Sequence, residues 1–283
     1  MPVDEIIILN GKMVESDDAC ISPLNRGQMY GDGCFDTLRG YDGYYFALPA
    51  HYDRLRDGLN YLGIRLSFSS DEFAQMIEDL VSKNKMGGRD VMIRTQCWRK
   101  GGRGYSSNES DHDWMIQCSP VTEKTNALRL DFLTTPCIPD AALSRKYKWT
   151  NGLNYIIAAR EAALKGFEDG IMLSLDGDIS ETTIANVFWV EGDEIFTPSE
   201  ACDLLPGITR SVVIELIREA GYELNTGKFG KEEVHNAEAF FCTNALMGIR
   251  GVSTIGYREF NADHPVIRKL QMLYDKKVRN ESL

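Results

Sequence analysis

Positive charge is scarce in this sequence. Across 283 residues, 31 lysines and arginines stand against 42 aspartates and glutamates, for a net charge of −11. A field of that sign repels a phosphate backbone, so nucleic-acid binding is not expected, while a local basic pocket for a small anion stays compatible with it. Histidine is scarcer: of four in all, none has the spacing of a recognised zinc or iron site, so Asp111-His112-Asp113 does not suggest a metal centre. No run approaches the roughly 20 apolar residues of a membrane-spanning helix. The opening MPVDEIIILN places acids where a signal peptide carries basic residues, so neither secretion nor a membrane is expected. Seven cysteines, at positions 20, 34, 97, 118, 137, 202 and 242, form no Cys-x-x-Cys pair and suit a reduced, cytoplasmic protein. Repeats, low-complexity tracts and the nucleophile-elbow, Walker and dinucleotide fingerprints are all missing.

What is present is an ordinary globular mixture, 43% hydrophobic and 26% charged, which excludes disorder. The length suits one large or two ordinary domains. Residues 3–9 read as a strand turning at Asn10-Gly11. Apolar spacing predicts helices over 49–64, 71–85, 151–165, 209–220 and 264–279. Strands are expected at 90–98, 113–119, 128–134, 170–175, 186–190, 194–197 and 238–243, with a glycine-rich loop at 100–110. Polar residues at 121–127 suggest a linker between a small α+β domain (1–120) and a larger α+β domain (128–283). A cleft between such domains is the expected ligand site.

Several segments offer chemistry, each with a plainer reading. Leu205-Pro206-Gly207-Ile208-Thr209-Arg210 opens a helix whose free N–H groups and dipole suit a phosphate, or it is simply a helix start. Lys148, in Arg145-Lys146-Tyr147-Lys148-Trp149, has cations and aromatic rings around it that lower a lysine pKa, or it belongs to a solvated basic loop. Glu181 precedes the strand at Asn186 and is either a turn residue or a partner for a cationic ring nitrogen. His51 and Arg54 share a helix face and reach either an anion or solvent.

In this order, the segments resemble the class IV aminotransferase family of pyridoxal-phosphate enzymes, fold type IV. The likeness runs from about Asn10 to Val252 through Tyr30-Gly31-Asp32-Gly33-Cys34-Phe35, His51-x-x-Arg54, Lys148-x-x-Asn151, Glu181 with Ala185-Asn186, and Leu205 to Arg210. Matching the motif to Asn154 instead of Asn151 would put Asn151 in the lysine position; pairing Lys148 with Asn151 keeps the family's distance to Gly166. The resemblance implies an α+β two-domain fold of the D-amino-acid aminotransferase type, with the active site in the interdomain cleft, and a homodimer acting on small carboxylate or amino substrates. It also implies Lys148 as the Schiff-base lysine and catalytic proton carrier, and Glu181 on the pyridine nitrogen. Arg54, Ile208, Thr209, Asn244 and Ala245 would complete the cofactor site.

Within the family, Gly101-Gly102-Arg103-Gly104-Tyr105-Ser106 and Asn244-Ala245-Leu246-Met247 resemble 4-amino-4-deoxychorismate lyases, which make 4-aminobenzoate and pyruvate for folate synthesis. That likeness implies Arg39, Arg94 and Arg103 as candidates for the substrate carboxylates, with Tyr30 and Phe35 lining the pocket. Asp36 departs from the glutamate of many relatives, Ala245 from a hydroxyl residue of many transaminases, and Gly152 from a tyrosine of branched-chain enzymes. The alternatives are an aminotransferase for D- or branched-chain amino acids and a catalytically silent cofactor-binding protein.

Overall fold

The computed structural model describes residues 5–106, 110–122 and 125–280. Residues 3 and 4 of the expected first strand, 107–109 of the glycine-rich loop and 123–124 of the expected linker lie outside the described residues. The chain forms two compact units, one of the described residues through Thr122 with Tyr147–Gly152, the other of residues 125–146 with Leu153–Asn280. The segment Tyr147–Gly152, expected inside the second domain, thus groups with the first unit.

The first unit begins with a hairpin of β1 (Ile6–Leu9) and β2 (Lys12–Glu15). Its turn residues Asn10 and Gly11 take φ of 51° and 80°, the left-handed pair that a two-residue hairpin needs. There follow α1 (Arg26–Tyr30), β3 (Gly33–Tyr41), β4 (Tyr44–Tyr45), α2 (Leu48–Tyr61), α3 (Ser70–Lys83), β5 (Val91–Arg99) and β6 (His112–Pro120). The strands make one antiparallel sheet in the order β2-β1-β6-β5-β3-β4. Helix α3 opens with a reciprocal Ser69/Glu72 capping box and turns Phe73, Ile77, Leu80 and Val81 inward at helical spacing. In β3 the alternation sends Cys34, Asp36 and Leu38 to the face covered by α2, where Cys34 lies directly beneath Gly58. Phe35, Thr37 and Arg39 point the other way.

The second unit runs β7 (Leu128–Phe132), α4 (Leu153–Leu164), β8 (Asp169–Leu173), β9 (Ile179–Thr182), β10 (Asn186–Glu191), β11 (Glu194–Pro198), α5 (Ile208–Glu219), β12 (Glu223–Gly227), β13 (Ala239–Asn244), β14 (Gly248–Ile255), β15 (Arg258–Glu259) and α6 (Pro265–Asn280). Its sheet follows β12-β11-β10-β13-β14-β7-β8-β9, and β9 pairs back onto β10 at Glu181↔Asn186. That single register pair closes β10, β13, β14, β7, β8 and β9 into a ring. Leu130, Ile171, Ile179, Val187, Trp189, Phe240, Cys242 and Val252 fill it. Among the described residues, no helix is long and apolar enough to cross a membrane.

The expected helices begin and end within three residues of α2 to α6. Helix α1 and strands β3, β4, β9, β12, β14 and β15 are not expected from the pattern. All four residues of β9 are buried, Ser180, Glu181 and Thr182 among them, so the turn reading of Glu181 gives way to a strand.

Candidate active site

The Tyr-Gly-Asp-Gly-Cys-Phe motif straddles the end of α1 and the start of β3. At that end β3 has an edge that β4 does not reach, since β4 pairs only with Gly40 and Tyr41. Lys148 to Thr150 occupy it. Phe35 N–H donates to the Lys148 carbonyl (2.9 Å), Thr150 N–H donates to Gly33 O (3.0 Å), and Cys34 faces Trp149 in an antiparallel bridge. The Thr150 hydroxyl adds a bond to Gly31 O at 2.7 Å. Asn151 packs on Gly31, whose φ of 68° and lack of a side chain both serve this approach.

This edge pairing decides where the lysine points. Residues alternate across a strand, so Trp149 shares the α2 face with Cys34 while Lys148 shares the opposite face with Phe35. Lys148 Nζ lies 4.7 Å from the centre of the Phe35 ring, and the Arg94 guanidinium lies 4.0 Å from the same centre. The Gln96 amide, turned so that its oxygen faces Arg94, accepts from Arg94 Nε (3.3 Å) and Nη2 (3.0 Å). Burial lowers the pKa of Arg94 despite the nearby Asp36 charge, without threatening its protonation at neutral pH. The expected environment of Lys148 changes accordingly. Tyr147 and Trp149 pack on each other and on Tyr61; the ring beside the amine is Phe35.

On the α2 face, Asp36 receives Arg54 as a fork, Nε to Oδ2 at 2.8 Å and Nη2 to Oδ1 at 2.9 Å, and His51 Nδ1 at 2.7 Å. Burial pushes the Asp36 carboxyl upward, but the Arg54 and His51 charges and their hydrogen bonds outweigh it and hold the group well below 3.8. The i, i+3 spacing of His51 and Arg54 in α2 lets both reach one carboxylate. Arg54 thus stands oriented, with Nη1 and one Nη2 proton beyond this fork.

Arg39 requires a correction. Expected at a substrate carboxylate, it is buried, forked onto Asp90 through Nε (3.1 Å) and Nη2, and laid over Tyr41 at 4.6 Å. Four residues beyond Phe35 on the same face, it is a structural ion pair at the far end of β3. Arg103 is exposed on its loop. Tyr30 reaches that loop, accepting the Gly104 N–H at 3.0 Å.

In the second unit, Glu181 sits at the seam that closes the ring. Arg145 Nη2 (2.9 Å) and Tyr155 Oη (2.7 Å) donate to its Oε1, and Asn186 Nδ2 (3.3 Å) and Leu205 N–H (3.1 Å) donate to Oε2. Each of its two oxygens thus accepts two hydrogen bonds. Arg145, read in the sequence as one of the cations around Lys148, is committed here instead. Asn186 also donates to Leu205 O at 2.9 Å. A Cβ at Gly207 would stand 2.2 Å from Asn186 Oδ1, so only glycine lets the start of α5 lie this close.

Gly207 caps α5 without a side-chain hydrogen bond, which leaves the first N–H groups of Ile208 and Thr209 open to an anion. Thr209 is buried beside them, and Arg210 turns away to Pro198 O at 2.8 Å. Asn244 serves the β13–β14 turn: its Oδ1 accepts from Leu246 N–H (3.0 Å) and Met247 N–H (2.9 Å), and its Nδ2 donates to Ile184 O (3.2 Å). Ala245 lies inside that turn. Tyr155 is the residue that sequence reasoning missed outright, and the holding roles of Asp36, Arg145 and Asn186, all named in the sequence motifs, appear only in the structure.

An amine on a sheet edge, an oriented guanidinium, an uncapped helix N-terminus and a buried carboxylate are groups suited to the aldehyde, the phosphate and the ring nitrogen of pyridoxal phosphate. The donor set fits. A family model described as amino-transferase class IV matches residues 33–255. The aminodeoxychorismate lyase of Bacillus subtilis (strain 168) is 29% identical over 285 residues, covering 97% of this chain and 95% of that protein. The D-alanine aminotransferase of Bacillus licheniformis is 25% identical over 289 residues, covering 98% of each. A branched-chain aminotransferase structure from Thermoproteus uzoniensis superposes with a TM-score of 0.92 at 24% identity, covering 98% of this chain and 95% of that one. With the fold, the matched residues and the donor set in agreement, the chain belongs to the class IV aminotransferase family and is a pyridoxal-phosphate-dependent enzyme.

Proposed function

We propose that this enzyme is a 4-amino-4-deoxychorismate lyase that releases 4-aminobenzoate and pyruvate. The observation that carries the reading is the shared face of β3 and β5, where the Lys148 amine and the Arg94 guanidinium lie against one ring. Proton transfer and carboxylate binding are thereby adjacent. Lys148 would hold the cofactor aldehyde, Arg54 with the N–H groups of Ile208 and Thr209 its phosphate, and Glu181 its ring nitrogen. Asn244 and Ala245, in the β13–β14 turn, would complete the cofactor site. When bound, pyridoxal phosphate supplies an electron sink for the pair left at the substrate carbon, and a protonated ring nitrogen deepens it.

The chain's own side chains do the rest. Lys148 Nζ takes the proton from ring carbon C4 of the substrate, the ether C–O bond to the enolpyruvyl group breaks as the ring becomes aromatic, and the departing enolpyruvate takes up a proton at its methylene carbon to give pyruvate. Arg94 and Arg103 receive the two substrate carboxylates, for which guanidinium forks are suited, and Tyr30 and Phe35 flank the ring. Arg39 drops out because Asp90 holds it.

The same reading includes two coarser proposals. Leu153, Ile156, Ile157 and Leu164 leave an exposed apolar stripe on α4, which supports a homodimer. Seven unbridged thiols, six of them buried, support residence in the reducing cytoplasm.

The test is an absorbance spectrum of the purified protein with pyridoxal phosphate, before and after aminodeoxychorismate. Release of 4-aminobenzoate with equimolar pyruvate is the expected result. Loss of the bound-cofactor band with D- or L-amino acids, its return with a 2-oxo acid and no 4-aminobenzoate would make the enzyme an aminotransferase.

A further inference from the structure

Arg26 is a buried arginine that the chemistry above does not use. Its Nε donates to Asp32 Oδ2 at 2.7 Å, and its Nη1 donates to the carbonyls of Gly104 (2.6 Å) and Gly102 (3.3 Å). Asp32 also receives Arg99 Nε at 3.0 Å, and Arg99 Nη2 donates to Leu62 O. Two guanidiniums therefore share one carboxylate, and Nη1 of Arg26 reaches into the glycine-rich loop. Tyr30 completes the grip: it accepts the Gly104 N–H, lies 4.8 Å beneath the Arg26 guanidinium, and meets the Tyr105 ring at 5.5 Å.

The tethered atoms bracket Arg103 on both sides. Gly101, Gly102 and Gly104 take φ of 56°, 81° and 83°, a backbone path open to glycine at little cost and equally easy for glycine to leave. Three such residues in five would make a loose loop. The bonds to Arg26 and Tyr30 select one path, and on it the exposed Arg103 is presented from a fixed base. A planar fork with donors in fixed directions suits this task; an ammonium would hold Asp32 but would not span the two carbonyls.

We propose that Arg26 is a positioning residue that sets Arg103 and thereby the enzyme's preference for a substrate carrying a second carboxylate. The proposal rests on the lyase reading for the identity of that substrate. Arg26 acts before binding: with the loop preorganised, the ordering cost does not fall on association, so its loss appears in KM.

The test uses the holoenzyme of wild type, Arg26→Gln and Arg26→Lys. Trypsin cleavage after Arg103 reads the loop directly and is independent of catalysis; about tenfold faster cutting is expected in both variants, with the thermal midpoint of Arg26→Lys close to wild type. KM for aminodeoxychorismate is expected to rise about tenfold with kcat changed less than about threefold. Unaltered cleavage, or a faster-cut loop with KM unchanged, would overturn the proposal. Should wild type make no 4-aminobenzoate, the lyase reading fails by itself. The comparison then passes to 2-oxoglutarate against pyruvate as amino acceptors, where an unchanged ratio of KM values in a released loop refutes the role of Arg26. Arg26→Lys keeps the Asp32 charge partner, so failure of Arg26→Gln to fold leaves the test intact.

Discussion

The two units hold their functional side chains in opposite ways. In the first, Lys148 projects from a segment whose backbone is bound to the β3 edge, and its amine lies over the Phe35 ring of that strand. In the second, Glu181 is at once a candidate functional group and the residue whose pairing with Asn186 closes the ring. Chemistry at an edge is separable from stability; chemistry at a seam is not. The buried carboxylates Asp36 and Glu181 repeat the contrast, each 4% exposed. Asp36 faces two basic side chains and serves to orient one of them, whereas Glu181 accepts from Arg145, Tyr155, Asn186 and the Leu205 N–H.

The largest effect should come at the edge. Lys148→Ala is expected to lower kcat at least about 10³-fold while the melting midpoint stays within about 2 °C; a large fall in the midpoint would break the comparison. Next comes the seam, where Glu181→Gln turns an amide nitrogen toward existing donors. It should reduce kcat by about 10²-fold and also cost roughly 3 kcal/mol in denaturant unfolding, because Arg145 loses a buried partner. A variant with full stability and reduced rate would show that seam and site are independent after all.

A smaller effect is expected from Asp36→Asn, which frees Arg54 from its fork. Pyridoxal-phosphate affinity, read by titration of the apoenzyme, should weaken about tenfold. The sign of the pH dependence follows from the lowered carboxyl: its stabilisation is complete above 3.8 and disappears as pH falls below that value toward its folded pKa. The variant should therefore lose less stability than wild type as pH falls below 3.8. The smallest effect concerns Glu161, outside both sites. Burial raises its carboxyl, but the N–H groups of Thr134 and Thr135 and the Thr135 hydroxyl bring it down to about 2. Glu161→Gln should cost about 1 kcal/mol at neutral pH. It should also flatten the acid limb between 4.5 and 2, with kcat unchanged.

These differences also explain what the sequence could show. Helices α2 to α6 were legible because apolar residues recur at helical spacing. Strand β3 was not, because Asp36 occupies a core-facing position where alternation demands an apolar residue; it makes sense only beside His51 and Arg54, which α2 supplies. Strand β9 hid for a similar reason, with Ser180, Glu181 and Thr182 buried in succession. The pattern around Lys148 and Glu181 was recognisable as an ordered set of motifs, while their supports were not. Arg26 reaches carbonyls 76 and 78 residues away, and a backbone carbonyl carries no side-chain signature.

The edge pairing of Lys148 to Thr150 has a consequence for synthesis. Cys34 meets Trp149 only after more than a hundred further residues have been added. A nascent chain that has completed β6 therefore carries all six strands of the first sheet while the start of β3 still offers unpaired N–H and carbonyl groups. Such an edge is a template for pairing between neighbouring chains. The lysine segment covers that edge, so the pairing that completes the start of β3 is also the one that places the amine.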